Sequence, residues 1–339
     1  MNANQNEAPT GAGARGSPAT ESPIMRLVLE NIGPLKEARV ELGRGLTVLY
    51  GLNGTGKTTV AKALGLVTRL NMGIAEAGDV IRLVKRQLRY MVEKEGAGRI
   101  VYEMDGTLEI SCVPDLRGAK LKVGDWERYV IMGERLPMID KPRIALIWAA
   151  HDAVRLYGVG THEALSVEDL LTPSVFRSVV AGMYGDAMDL YEEVLSEVNN
   201  MLETLDYNIM YRDGVYYKHG ALHVYTPDEV SSGVRRFALI YLALAMAKNF
   251  AKYAKIEPVL FVENFEDSLD VTMMSAVIDI LRTSDIISIA ETHSGYPLRE
   301  ATIRSRMNYY VFADGKTTKN LTVELFKKEI AEWTGIDAL

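Results

Sequence analysis

The residues with the most chemistry run Gly51-Leu-Asn-Gly-Thr-Gly-Lys-Thr58, between the apolar stretch LTVLY and a segment patterned as a helix from Thr58 to Leu70. In that setting the pattern G-x-x-x-x-G-K-[ST] wraps backbone N–H groups around phosphates at a helix N-terminus, where the helix dipole favours negative charge. Lys57 is placed to reach the β- and γ-phosphates, Thr58 offers a hydroxyl to Mg²⁺, and Asn53 approaches the γ-phosphate region. Gly54, Thr55, Gly56 and Thr59 complete the cradle. A nucleoside phosphate and Mg²⁺ are therefore the expected ligands. A merely structural glycine turn leaves the lysine unexplained.

Three further segments carry polar groups at the ends of apolar elements. VLFVENFEDSLD, residues 259–270, is a strand emptying into acids, which suits Mg²⁺ and the orientation of water. VSSGVRR, residues 230–236, heads a long apolar helix, and IISIAETH is a strand that puts His293 at its carboxyl end. Taken singly, each has a plain structural reading: acids and serines cap helices, and a lone histidine is usually a satisfied loop residue.

In this order the motifs resemble the ABC-type ATPases of the SMC and RecF group, here in a small form without a long coiled coil. The opening LVLENIGPL and the run GLTVLYG before the P-loop are similar to the start of that family. The resemblance implies that VSSGVRR is the signature, with Ser231 and Gly233 as nucleotide-contacting residues. It implies that Glu263 and Asn264 stand at the acid pair, with Glu263 beside Thr58 as a metal ligand, and that Asp270 is the D-loop aspartate and His293 the switch histidine. It also implies ATP as the nucleotide, its hydrolysis to ADP and phosphate as the reaction, and an ATP-dependent homodimer, in which the P-loop of one copy faces the signature of the other. The monomer then holds half a site.

The sequence departs from the family pattern at several positions. Glu263 replaces the usual aspartate and Asn264 the usual catalytic glutamate; an amide positions water but cannot take its proton. Slow hydrolysis and a long-lived ATP-bound dimer follow as expectations, with Glu263, Glu266 or Asp267 as substitute bases. Val234 replaces the signature's Gln or Glu. For the Q-loop, Gln87 and the pair His151/Asp152 both stand as candidates. The implied function is a switch or clamp in DNA maintenance, with DNA or a separate effector protein as partner. An OLD-like defence ATPase gating a separate effector is the alternative, and a transporter nucleotide-binding subunit a weaker one. A P-loop small-molecule kinase leaves the signature and His293 without a role.

The elements that must position these groups alternate between strands and helices in the second half, which argues for a wound α/β sheet. With the resemblance, the fold class expected is α/β: a P-loop NTPase of ABC type, a mixed sheet wound with helices, with an inserted helical and hairpin lobe carrying the signature. Residues 1–23, rich in Gly, Pro, Ser and Thr, read as a disordered tail. Residues 24–339 form the ATPase, with lobe I at about 24–125 plus 255–339 and lobe II at about 126–254. Helices are expected at Ala75–Lys94, Ser174–Leu205, Ser232–Lys255, Val271–Arg282 and Val323–Trp333. Asp105-Gly106 and Asp213-Gly214 mark hairpins.

A net charge of -7 confines any nucleic-acid contact to a local face, for which the row Arg82, Lys85, Arg86 and Arg89 is the candidate, though a solvated helix face is the commoner meaning of such a row. The single cysteine, Cys112, cannot form an intramolecular disulfide, and no signal segment is recognisable, so a cytoplasmic protein is expected. The longest apolar run, Phe237 to Ala247, is too short to span a bilayer, so no membrane insertion is expected.

Overall fold

The computed structural model describes residues 24–88, 97–115, 117–157, 164–181, 187–254 and 256–319. In chain order the first half comprises strands β1 (Met25–Ile32), β2 (Leu35–Leu42) and β3 (Gly45–Tyr50), helices α1 (Lys57–Asn71) and α2 (Ala77–Leu88), then strands β4 (Gly98–Glu103), β5 (Thr107–Pro114), β6 (Ala119–Val123), β7 (Trp126–Val130), β8 (Ile144–Ala149), β9 (Val154–Tyr157) and β10 (Ala164–Leu165). Helices α3 (Val167–Leu170), α4 (Pro173–Val180) and α5 (Ala187–Leu202) follow, then strands β11 (Tyr207–Tyr211), β12 (Val215–His219) and β13 (His223–Tyr225). The chain continues through α6 (Ser232–Ala254), β14 (Glu257–Val262), α7 (Val271–Thr283), β15 (Ile287–Thr292), α8 (Gly295–Ile303), β16 (Met307–Ala313) and β17 (Lys316–Thr318).

One large sheet organises the molecule, in the order β10-β9-β8-β14-β15-β3-β16-β17-β2-β1-β4-β5-β6-β7. Its centre, β8-β14-β15-β3-β16, is parallel, while β2-β1-β4-β5-β6-β7 is an antiparallel wing. The central strands are mostly apolar because both faces are covered, as parallel strands require, with Glu291 and Thr292 at the end of β15 among the polar exceptions. Their period of two divides them between two cores. Ala145, Ile147 and Ala149 of β8, with Leu260 and Val262 of β14, face the core built with α3 to α7. Ile144, Leu146 and Trp148, with Val259 and Phe261, face the core under α1 and α2.

Helix α6 is buried around nearly its whole circumference from Gly233 to Ala247, which explains its continuous apolar sequence. It packs on α5, β14 and β8. Among the described residues, no helix is long and apolar enough to cross a membrane.

Both Asp-Gly pairs close hairpins: Asp105 (φ 49°) between β4 and β5, and Asp213 (φ 54°) between β11 and β12. Other expectations shift. A lobe boundary at 125/126 falls inside the large sheet, because β7 pairs in register with β6 and buries Val130, and β8 to β10 also belong to that sheet. The part that leaves the sheet begins at α3. Residues 207–225 contain the Asp213-Gly214 hairpin and extend it by a third strand, β13. The tail 1–23, Arg89 and the expected helix Val323–Trp333 lie outside the described residues, as do the side chains of Lys85, Arg86 and Gln87. Of the basic row, Arg82 is described, and it is exposed.

Candidate functional site

The fully buried strand β3 delivers the chain to Gly51 at one end of the parallel centre. Two glycines of the following loop are required by geometry. At Gly51 (φ 151°) a Cβ would lie 2.5 Å from the Phe312 carbonyl oxygen, and at Gly56 (φ 106°) it would lie 2.6 Å from Leu35. Helix α1 then starts at Lys57 with no side-chain cap on its first turn and no acid in it, which leaves its N-terminal dipole uncompensated for an anion. Lys57 is 2% exposed, and its Nζ donates to the carbonyls of Gly51 (2.6 Å) and Leu52 (2.9 Å). Thr55 Oγ1 donates to the Leu52 carbonyl at 2.8 Å, Thr59 is buried beneath the loop, and Asn53 and Gly54 are exposed at its tip.

The neighbouring strand β15 supplies the other wall. Its register sets Glu291 beside Leu49 and Thr292 beside Tyr50 of β3, so its end lies level with the P-loop. Both Glu291 carboxylate oxygens lie near Thr58 Oγ1, at 2.9 and 3.0 Å, and one lies 4.0 Å from Lys57 Nζ. Burial pushes the Glu291 carboxyl up to about 7, against the opposing pull of Lys57. His293 Nδ1 is 3.4 Å from Lys57 Nζ, and burial, then the Lys57 charge, holds the imidazole below its ordinary range. Glu266 fixes this strand end: its carboxylate accepts from Thr292 Oγ1 (2.7 Å) and from the His293 amide (2.8 Å).

Glu263 and Asn264 follow β14, which lies one strand further from β3 than β15 does. Glu263 Oε2 accepts the indole N–H of Trp148 at 2.9 Å. Asn264 has φ 45°, a left-handed conformation that asparagine tolerates better than most residues. Asp267 pairs with His151 Nδ1 at 3.2 Å, so one Q-loop candidate meets one candidate substitute base; Asp152 is exposed. Within its own chain Asp270 caps α7, its Oδ1 accepting the Met273 amide at 2.8 Å.

Ser231 is exposed at the head of α6, where among the described residues its hydroxyl takes only a long hydrogen bond from the Val234 amide, 3.4 Å. Gly233 is buried, and a Cβ there would lie 2.8 Å from the Ser268 carbonyl oxygen, so glycine lets α6 approach the loop leading to Asp270. One turn on, Arg236 is 3% exposed. Its guanidinium donates to the carbonyls of Ala150, His151, Glu263 and Asn264, and burial pulls its pKa down to about 10. The signature segment is thus tied to the ends of β8 and β14.

Among the described residues, no group of three or more His, Cys, Asp or Glu is arranged to hold a metal by itself. The Thr58 hydroxyl and a buried carboxylate are hard oxygen donors that suit Mg²⁺, which takes one or two such ligands and completes its shell with phosphate and water. The P-loop, Thr58 and His293 come together as the motif order suggests. Glu291 and Arg236 are additions. The only signals for them were an acid two residues before His293 and a basic residue inside an apolar helix.

Two family models match the chain: one described as an AAA domain over residues 26–100, and one described as an AAA domain, putative AbiEii toxin, Type IV TA system, over residues 144–296. The first spans the P-loop, and the second spans Ser231, Glu263 and His293. No match is found among the curated proteins. Among solved structures the chain is similar to an SmcHead bound to the C-winged helix domain of ScpA, with 13% identity, 91% of this chain and 100% of that one covered, and a TM-score of 0.52. It is similar also to the Smc head domain with an extended coiled coil bound to the C-terminal domain of ScpA, derived from Pyrococcus furiosus, with 12% identity, 92% and 100% covered, and a TM-score of 0.51. The fold is that of an SMC head, a large mixed α/β sheet wound with helices, and both matching family models are AAA domains.

Proposed function

We propose that this chain binds Mg²⁺ and ATP, dimerises head to tail when ATP is bound, hydrolyses it slowly, and acts as a cytoplasmic switch or clamp in DNA maintenance. The observation that carries this reading is the contrast along α6. The helix body is buried and anchored by Arg236, while Ser231 at its head is exposed with little to bond in its own chain. A serine hydroxyl and a helix N-terminus turned outward make an anion site that a second copy's ATP can fill.

In this reading the P-loop amides and Lys57 bind and orient the phosphates, with Asn53 over the γ-phosphate. Thr58 and Glu263 would hold Mg²⁺, which would neutralise phosphate charge. Ser231 and Gly233 close over the γ-phosphate from the other copy. His293 contacts the γ-phosphate side from the end of β15, and Asp270 lies at the dimer seam at the head of α7. Asn264 positions water without accepting its proton, which makes turnover slow. Size-exclusion chromatography with light scattering tests the reading. The expected result is a monomer without nucleotide, a dimer with Mg²⁺ and ATP, and retention of duplex DNA by the dimer alone. A monomer at saturating ATP overturns it.

A second reading keeps the ATP switch and changes what it gates: a separate effector protein in a defence or toxin–antitoxin setting. The match of residues 144–296 to an AAA domain, putative AbiEii toxin, Type IV TA system, favours it. ATP-dependent dimerisation with no DNA retention selects this reading.

A further inference from the structure

Glu291 has no role in the motif scheme, yet it holds the position closest to the hydroxyl that should meet the metal. Strand β15 lies between β3 and β14, and the register that pairs Val262 with Ala290 sets Glu263 level with Glu291 and one strand further from the P-loop. Glu263 is also engaged elsewhere, by the Trp148 indole N–H at 2.9 Å. Glu291, by contrast, is 5% exposed and has both carboxylate oxygens within 3.0 Å of Thr58 Oγ1.

A threonine hydroxyl has a single proton, so it satisfies one of those two oxygens at a time, and its own lone pairs are left for a cation. A carboxylate accepting that proton fixes where the lone pairs point and raises the basicity of the oxygen. Carboxylates behind metal-bound histidines act in the same way. A buried acid whose nearest cation is Lys57, at 4.0 Å, adds negative charge where a divalent ion would sit.

We propose that Glu291 is the positioning carboxylate of the Mg²⁺ site, orienting Thr58 and supplying the charge that the motif scheme assigns to Glu263. The proposal rests on the nucleotide-site reading above. Its test is the coupling between metal and nucleotide, read as the ratio of ATP dissociation constants in EDTA and in Mg²⁺ by titration calorimetry on the full chain. Glu291→Gln lowers this ratio about tenfold or more, whereas Glu263→Gln lowers it less. A wild-type ratio in Glu291→Gln, or a larger loss in Glu263→Gln, overturns the proposal.

Should Glu291→Gln fail to fold, as read by thermal melting, Glu291→Asp decides. Its carboxylate is drawn back by one methylene, so a reduced ratio supports the assignment and a wild-type ratio overturns it. Failure of the nucleotide-site reading looks different: the wild-type chain then binds no ATP with or without Mg²⁺.

Discussion

The two ends of the nucleotide machinery are built differently. Around the P-loop almost every polar group is engaged inside the chain: Lys57 on the loop carbonyls, Thr58 on Glu291, and the amide of His293 on Glu266. At the head of α6 the polar groups face outward, and only the level below is fastened, by Arg236 on four carbonyls. The first region is organised to receive a ligand by itself. The second has a rigid base and an open edge, the form expected of a surface completed by another molecule.

Substitutions that strike one region and spare the other break this comparison. Lys57→Ala removes the buried cation of the P-loop and should weaken ATP binding by about 3 kcal/mol, roughly a hundredfold, with the fold kept. Titration calorimetry checks it, and near-wild-type affinity contradicts the P-loop assignment. Arg236→Ala strands the carbonyls of Ala150, His151, Glu263 and Asn264 and should cost about 3 kcal/mol of stability in denaturant unfolding. Arg236→Lys should recover only part, because an ammonium lacks the planar fork.

Two smaller effects sharpen the contrast. Asn264→Glu should raise turnover about tenfold, short of what a well-placed general base supplies. It should also cost about 1 kcal/mol of stability, because Glu is poorly suited to the φ of 45° found there. Steady-state phosphate release and thermal melting read the two effects separately, and an unchanged rate removes Asn264 from the account of slow hydrolysis. Asp270→Ala deletes the cap on α7 and should cost about 1 kcal/mol in unfolding. A loss of dimerisation beyond that cost marks a role at the seam as well.

Much of this was legible from local pattern. The P-loop sits between a strand and a helix as its glycines and lysine require, and the apolar runs at 144–149 and 258–262 are the buried central strands their composition suggests. What stayed hidden depended on strand order. Glu291 reads as one acid in IISIAETH until β15 is known to pair with β3, and nothing local announces a pairing between segments so far apart in sequence. Arg236 reads as half of an Arg-Arg pair, because its partners are backbone carbonyls, which no residue type reveals. The course of the sheet across residues 125/126 was hidden for a related reason: β7 carries three exposed residues in a row, Glu127 to Tyr129, and only its pairing with β6 assigns it to the large sheet.

The central claim is that the P-loop of one copy and Ser231 of another make one site. Mixing two variants tests it most directly: Lys57→Ala, which lacks the phosphate-binding lysine, and Ser231→Arg, whose bulk and charge close the head of α6. Each alone should fail to form the ATP-held dimer or to turn over. Mixed in equal amounts, they form heterodimers that carry one intact site made of the Ser231→Arg copy's P-loop and the Lys57→Ala copy's signature. Random pairing then restores roughly a quarter of wild-type turnover together with an ATP-dependent dimer. Full activity of Ser231→Arg alone, or no recovery on mixing while the wild-type chain dimerises and hydrolyses, contradicts the account.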